Sequence, residues 1–247
     1  MDLVLNILKS HRSVRNYKST PISDQEFYEL LNAAQYAASS NFVQAYSVIQ
    51  IKDREKINKL GELSSNQQQF KTAALSLVFC ADLNRARHAV LRHGEEIKGG
   101  TLENFLVAAI DTALLAQNFV IAAESKGYGI CFIGGVRNNP REISDLLSLP
   151  DHVIPLFGLT VGVPDEQNEV KPRLPVKAIV HTDDYDETKY EQILTEYDEV
   201  ISNYYKKRTT NSKETTWSQV MTDFLSDKRR PFLKDFVLSK GYLQEEK

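Results

Sequence analysis

Six residues near the start, Ser10-His11-Arg12-Ser13-Val14-Arg15, bring two guanidinium groups, an imidazole and two hydroxyls beside an apolar segment. That set suits a phosphate with neighbouring sugar hydroxyls, because arginine offers phosphate oxygens a bidentate fork. A solvated basic turn has the same composition, so the hexapeptide alone leaves both readings open. A second basic pair lies in Lys171-Pro172-Arg173-Leu174-Pro175. Its prolines stiffen an extended chain, in which residues two apart share a side, so Lys171 and Arg173 are expected to converge on one anion. Gly134-Gly135 closes an apolar run and lets a flat ligand approach the backbone amides. It is not a dinucleotide fingerprint, since the GxGxxG pattern and the helix after it are missing. Ser39-Ser40-Asn41 supplies small polar side chains, and the loop Ser64 to Gln69 supplies amides able to bond a heterocycle edge.

The elements that must position these groups are organised around Thr101 to Gly127, the longest apolar run. Thr101 suits an N-cap after Gly99 and Gly100, Glu103 complements the helix dipole, and Lys126-Gly127 supplies a stop. The spacing predicts one helix of roughly 37 Å at ~1.5 Å per residue, buried on most sides. Asp111 leaves twelve uncharged residues before Glu124, too few for a membrane span, which needs about 18 or more. Asn104, Asp111, Asn118 and Ser125 recur every seven residues as one narrow polar stripe, expected to be a satisfied network or one side of a subunit interface.

Around this helix, further helices are predicted from Leu3, from Ser23 with its capping box to Glu26, over Arg54 to Leu63, after Asp82, from Pro140, from Tyr190, over Trp217 to Leu225 and from Pro231. Strands are predicted at Tyr46 to Ile51, Leu75 to Ala81, Tyr128 to Ile133 and Pro155 to Val163. There is no internal repeat. The acidic turn from Asp183 to Glu187 divides a mixed body, 1–182, from a helical tail, 183–247, too small to fold alone.

The 247 residues are 42% hydrophobic and 26% charged, the balance of a soluble globular chain able to bury a large core. A net charge of −3 gives no general attraction to nucleic acid or acidic membranes, so any anion site must be a local basic cluster. Cys80 and Cys131 lack metal-ligand spacing and read as buried free thiols of a reducing compartment. The start MDLVLNILKSHRS does not read as a signal peptide, and a cytoplasmic location is expected.

Taken in order, SHRSVR, Ser39-Ser40, Gln67, FCAD at Phe79 to Asp82, AAIDTALLAQN, FIGG with VRNNP, HVIPLFGL, KPRLP, ETTWS and RRPF resemble the oxygen-insensitive NADPH nitroreductases and FMN reductases of the nitroreductase superfamily. Each motif is weak alone, and their joint order from about residue 3 to about residue 240 is specific. The resemblance implies an α+β fold, a mixed sheet flanked by helices, in an intertwined homodimer with a helical C-terminal extension, the central helix at the interface and FMN in a cleft between subunits. His11, Arg12, Ser13 and Arg15 would hold the ribityl and phosphate groups, with Lys171 and Arg173 completing the cradle. Ser39, Ser40 and Gln67 would touch the flavin, and Phe132, Ile133, Gly134 and Gly135 would lie along its ring system. Phe132 lacks the hydroxyl that tyrosine brings there in some relatives. Glu103 would line the substrate side. Arg208 and Lys213, with Arg230 nearby, would meet the extra phosphate of NADPH.

The implied activity is hydride transfer from NADPH to FMN and then of two electrons to nitroaromatics, quinones or free flavin, in ping-pong order. Cationic groups near the flavin's pyrimidine ring favour its reduced form, and no catalytic triad or metal is required. A flavin-binding redox sensor without turnover is the reading from another class. A dehalogenase-like branch is the alternative among enzymes, but the lid insertion it would need is missing between Asp82 and Thr101.

Overall fold

The computed structural model describes residues 2–97, 100–208 and 212–243. Along these the elements run α1 Leu3–Lys9, α2 Asp24–Ala34, β1 Tyr46–Ile51, α3 Arg54–Leu63, α4 Gln69–Thr72, β2 Leu75–Asp82, α5 Asn84–Leu91, α6 Leu102–Ser125, β3 Gly129–Ile133, α7 Pro140–Leu146, β4 Val153–Gly162, α8 Val176–Ile179, α9 Tyr190–Lys207, α10 Trp217–Leu225 and α11 Leu233–Ser239. By contact, Met1–Asn168 with Arg230–Lys247 forms one unit and Glu169–Arg229 a second. The break at 168/169 precedes the acidic turn, so the KPRLP segment lies in the second unit.

The sheet of the first unit has the order β1-β2-β4-β3. All three pairings are antiparallel, and parallel pairing among the described residues is confined to the isolated bridge between Ser13 and Ile130. The mixed sheet expected from the resemblance is therefore antiparallel in its four strands. Alternation along β2 sorts side chains to two faces. Leu77 and Phe79 pack with Leu30 and Ala34 of α2 and with Leu115, Phe119 and Val120 of α6. Val78 and Cys80 face Ile57 and Leu60 of α3, Phe70 of α4 and Ile143 of α7. A strand covered on both faces is apolar throughout, and every residue of β2 is buried.

Thr101 caps α6 by accepting from Asn104 N–H at 3.2 Å, and the chain leaves the helix through Gly127 at φ 83°, a left-handed angle that glycine adopts without a Cβ penalty. The start of α2 shows half of the expected box, Ser23 accepting from Glu26 N–H. Burial of α6 differs from the expectation. Ala108, Asp111, Thr112, Leu115, Ala116, Phe119, Val120 and Ala123 are buried, whereas Leu102, Leu106, Ile110 and Leu114, spaced four apart, form an exposed apolar stripe. Among the described residues α6 is the one helix long and apolar enough to cross a membrane. Its packing on β2 and α2 makes it a core helix of this unit.

In the second unit, α9 and α10 pack through Tyr197, Ile201, Tyr205, Leu174 and Trp217. The N-terminus of α10 is tied to α9, since Ser218 N–H donates to Asp198 at 2.8 Å.

Candidate functional site

The SHRSVR hexapeptide follows α1 directly and has neither helix nor strand of its own. His11 Nδ1 lies 2.6 Å from Glu124 Oε1, near the end of α6. Val14 is buried and its N–H donates to Ile130 O at 2.8 Å. Arg15 N–H donates to Glu166 Oε1 at 2.6 Å, and Asn168 Nδ2 donates to Ser13 O at 2.9 Å. The buried side of the loop is thus held by acids and carbonyls while Arg12 and Arg15 are exposed. Arg12 donates to Ser10 O at 3.3 Å, and among the described residues no carboxylate pairs with either guanidinium. A cleft of ≈ 120 Å³ opens beside Arg12, lined also by Ser10, Val14, Glu124, Tyr128 and Pro164.

Ser39 and Ser40 gather at the middle of α6. Asp111, 1% exposed, accepts from Ser39 Oγ at 2.7 Å, Ser40 N–H at 3.0 Å and Ala45 N–H at 3.2 Å. The loop it holds contains Asn41, Phe42 and Gln44 at φ 46°, 59° and 52°. Left-handed residues other than glycine cost on the order of 1 kcal/mol each and persist where the surroundings fix them. Asp111 supplies that fixing, so this member of the polar stripe is a satisfied network. Ser125 Oγ donates to Ala122 O within its own helix. Asp111 and Glu124 are thirteen residues apart, so the anchors of Ser39 and His11 in one chain are separated by about 20 Å along the helix.

The loop that carries Gln67 is brought beside Gly134 and Gly135 through Ser64 and Ser65. A Cβ on Gly135 would lie 2.2 Å from Ser64 O, whereas one on Gly134 would meet only the end of Arg137 at 3.2 Å. Close approach at Gly135 is thus demanded by the protein's own backbone, a correction to the reason given from sequence. Asn139 Nδ2 donates to Leu63 O at 2.6 Å across the same seam, and Gln67 Oε1 accepts from Gln69 Nε2 at 2.6 Å. Part of the expected glutamine loop is helical, since α4 begins at Gln69. Phe132 is 40% exposed and stands edge-on to Phe157, whereas Ile133 is buried in the core and offers only its backbone. Arg230 belongs here too, with Nε donating to Asn138 Oδ1 at 2.8 Å and a terminal nitrogen to Gly134 O at 3.3 Å. Desolvation, and then the charge of Arg230, lower the pKa of the half-buried Arg137. Glu103 is exposed in the first turn of α6. Cys80 and Cys131 are buried free thiols whose pKa values burial raises, which keeps them neutral and unreactive.

In the second unit Lys171 Nζ donates to Tyr205 OH at 2.8 Å, and Tyr197 OH donates to Pro172 O at 2.8 Å. Arg173 is exposed. Arg208 follows the last turn of α9 and lies over the Tyr204 ring at 5.7 Å. Lys213 is exposed, and Asn211, expected in the same phosphate loop, lies outside the described residues.

The acids that fasten these loops were missed as site residues. Asp111 could have been found as the one charge between Glu103 and Glu124, in the middle of an apolar helix. Glu124 and Glu166 gave no comparable signal, because their partners lie 113 and 151 positions away.

Known proteins place this architecture. The model described as "Nitroreductase family" matches residues 8–163, and that described as "Nitroreductase family, C-terminal domain" matches 171–245. The chain belongs to the nitroreductase family. It is 51% identical over 240 residues to a Cr(VI) reductase of Pseudomonas sp. (strain G-1), covering 97% of this chain and 99% of that one. It is 41% identical over 247 residues to an FMN reductase (NADPH) of Bacillus subtilis (strain 168), covering 98% and 99%. Its structure matches that of the NfrA1 nitroreductase from B. subtilis with a TM-score of 0.94 at 40% identity, over 98% of this chain and 100% of that one.

The glycine pair makes a sharp test. Gly135→Ala forces a Cβ onto a buried carbonyl and should destabilise the protein by about 1–3 kcal/mol. Gly134→Ala meets a side-chain end that can move and should cost well under about 1 kcal/mol. Urea unfolding of both variants checks this, and equal costs would show that the Ser64 contact does not select glycine at 135.

Proposed function

We propose that this chain is an NADPH-driven flavoenzyme of the nitroreductase family, which carries FMN and delivers two electrons to a nitroaromatic, a quinone or free flavin. The observation that carries the reading is the SHRSVR loop in a net-acidic protein, with Arg12 and Arg15 exposed and, among the described residues, unpaired by carboxylates. Two cations fastened from behind fit a phosphate, so the residues present fit FMN. His11, Arg12, Ser13 and Arg15 would hold its phosphate and ribityl chain. Gln67, Gly134 and the exposed Phe132 would border the ring, and Glu103 the substrate side. For Lys171, Arg173, Ser39 and Ser40 the assignment rests on the family resemblance. When bound, FMN supplies the two-electron chemistry, taking hydride from NADPH and giving electrons to the acceptor in ping-pong order. The protein's part is to bind, to orient and to surround the flavin with positive charge.

A homodimer with shared sites is part of the proposal. Two features support it: the exposed stripe of Leu102, Leu106, Ile110 and Leu114, and the exposed Leu3, Val4, Leu5 and Leu8 of α1. A third is the separation of about 20 Å along α6 between Asp111, which holds Ser39, and Glu124, which holds His11; a second copy would remove it by supplying one group of the pair. A cytoplasmic location is proposed on the two buried free thiols and the choice of NADPH as donor.

The purified protein should be yellow, release about one FMN per chain, and oxidise NADPH when a nitroaromatic, a quinone, free flavin or chromate is added. Chromate joins the panel because one relative is named for it. FAD in place of FMN would refute the cofactor, and flavin bound without steady turnover would leave a sensor. In light scattering, a particle of twice 28.1 kDa is expected at all workable concentrations. A flavin-loaded monomer would refute the shared site.

Arg208 and Lys213 are proposed to read the extra phosphate of NADPH. A charged hydrogen bond contributes about 1.5–3 kcal/mol, so Arg208→Ala or Lys213→Ala should lower kcat/KM for NADPH by about ten- to hundredfold. Efficiency with NADH should hardly change. Equal losses with both nucleotides would assign these residues to the fold, and no loss with either would place the phosphate elsewhere.

A further inference from the structure

A cradle built on irregular backbone works only if something holds that backbone still. The isolated bridges Ser13 to Ile130 and Tyr17 to Pro164 tie the two ends of the SHRSVR loop and its exit. Between them Arg15 and Asn16 are exposed, and their successive N–H groups point to one place. Such paired amides form a concavity that favours an anion. Here the anion is the protein's own Glu166. Its Oε1 accepts from Arg15 N–H at 2.6 Å, Asn16 N–H at 3.4 Å and Asn168 Nδ2 at 2.8 Å, and its Oε2 accepts from Asn16 Nδ2 at 2.7 Å. Asn168 Nδ2 also reaches Ser13 O at 2.9 Å, which closes the clamp on the other side of Val14.

Partial burial pushes the Glu166 carboxyl upward, but the donors from Arg15, Asn16 and Asn168 outweigh it and hold the group below the ordinary glutamate range. With a lowered folded-state value, the clamp is fully in place above the ordinary range and is lost as pH falls through the lowered one.

A carboxylate behind an anion site presents a conflict. Its charge opposes a bound phosphate, while its hydrogen bonds fix the backbone that carries the guanidinium groups. The repulsion acts across a solvated surface and is screened. The ordering concerns four consecutive residues, whose freedom a ligand would otherwise have to remove on binding. We propose that Glu166, backed by Asn168, is the positioning residue of the phosphate cradle, and that this ordering outweighs its like-charge cost.

The inference rests on the reading that the SHRSVR loop receives the flavin phosphate, and the experiment separates the two. The full chain, stripped of flavin, is titrated with FMN and with riboflavin, which lacks the phosphate, and binding is followed by flavin fluorescence. Wild type must bind FMN more tightly than riboflavin. If it does not, the phosphate reading fails, whatever Glu166 does. In Glu166→Gln the new amide nitrogen faces other donors and the clamp opens. The Kd for FMN should then rise about tenfold, the size of one lost charge-assisted bond, while the Kd for riboflavin changes far less. Asn168→Ala, which removes no charge, should shift the FMN-to-riboflavin ratio the same way by a smaller factor. This second variant decides the matter if Glu166→Gln does not fold. Tighter or unchanged FMN binding in either variant would make Glu166 merely a like charge. Equal losses for both flavins would make it general support of the fold. Each of these results overturns the proposal.

Discussion

The structure hangs on the contact between α6 and the sheet. Leu115, Phe119 and Val120 meet Leu77, Phe79 and Leu159, while Ala108, Ala116 and Ala123, each fully buried, allow the helix backbone to come close. Thr112 Oγ bonds both Ala108 O and Cys80 O, joining helix and strand inside the core. A helix seated so firmly works as a ruler. Its middle offers Asp111 to the 39–45 loop, and its last turn offers Glu124 to His11. Both loops are irregular, so their places follow from the seating of one helix.

A few acids of this chain are turned to the loops behind the site, while Arg12 and Arg15 are exposed. Asp111, Glu124 and Glu166 each fasten a segment that lacks a hydrogen-bond ladder, and Asp82 joins Ser47 of β1 to the start of α5. An unsatisfied buried donor is costly, and a carboxylate satisfies several at once, so a few acids can order long stretches of loop. What they leave at the surface is Arg12 and Arg15, together with left-handed Asn41, Phe42 and Gln44. The strained backbone thus stands at one fastened loop, and the cations without a carboxylate partner among the described residues at another.

Most of the elements could be read from the sequence, because caps and periodicity act over a few residues. Thr101, Asp53 and Thr216 cap the helices they were placed to start or lie just before, and α10 has the bounds expected of it. The four strands fell where alternation and apolar runs placed them, but pairing direction is set by distant partners, and the sheet proved antiparallel. Within the site, residue types marked the arginine loop and the glycine pair. The reason for Gly135 was hidden, since Ser64 approaches it from another element, and Glu166 was hidden because three of its four donors belong to Arg15 and Asn16, about 150 positions away. The break before Glu169 was masked by the prolines of KPRLP, which looked like part of the body although Pro172 is bonded by Tyr197 of α9.

Apolar pattern alone also could not tell which face of α6 the chain covers. Leu115 is buried and Leu114 exposed, yet the two are chemically alike and adjacent. A leucine row left in water at Leu102, Leu106, Ile110 and Leu114 lacks the hydrophobic stabilisation its sequence could provide, and it runs beside the same helix that separates the serine loop from the arginine loop. One arrangement answers both facts. If a second copy covers the row, its own serine loop is carried along by its own α6, and the distance within one chain becomes a contact between two. Under that arrangement the apolar surface and the proposed divided site are a single constraint, because the helix that lacks cover is also the helix to which both loops are fastened.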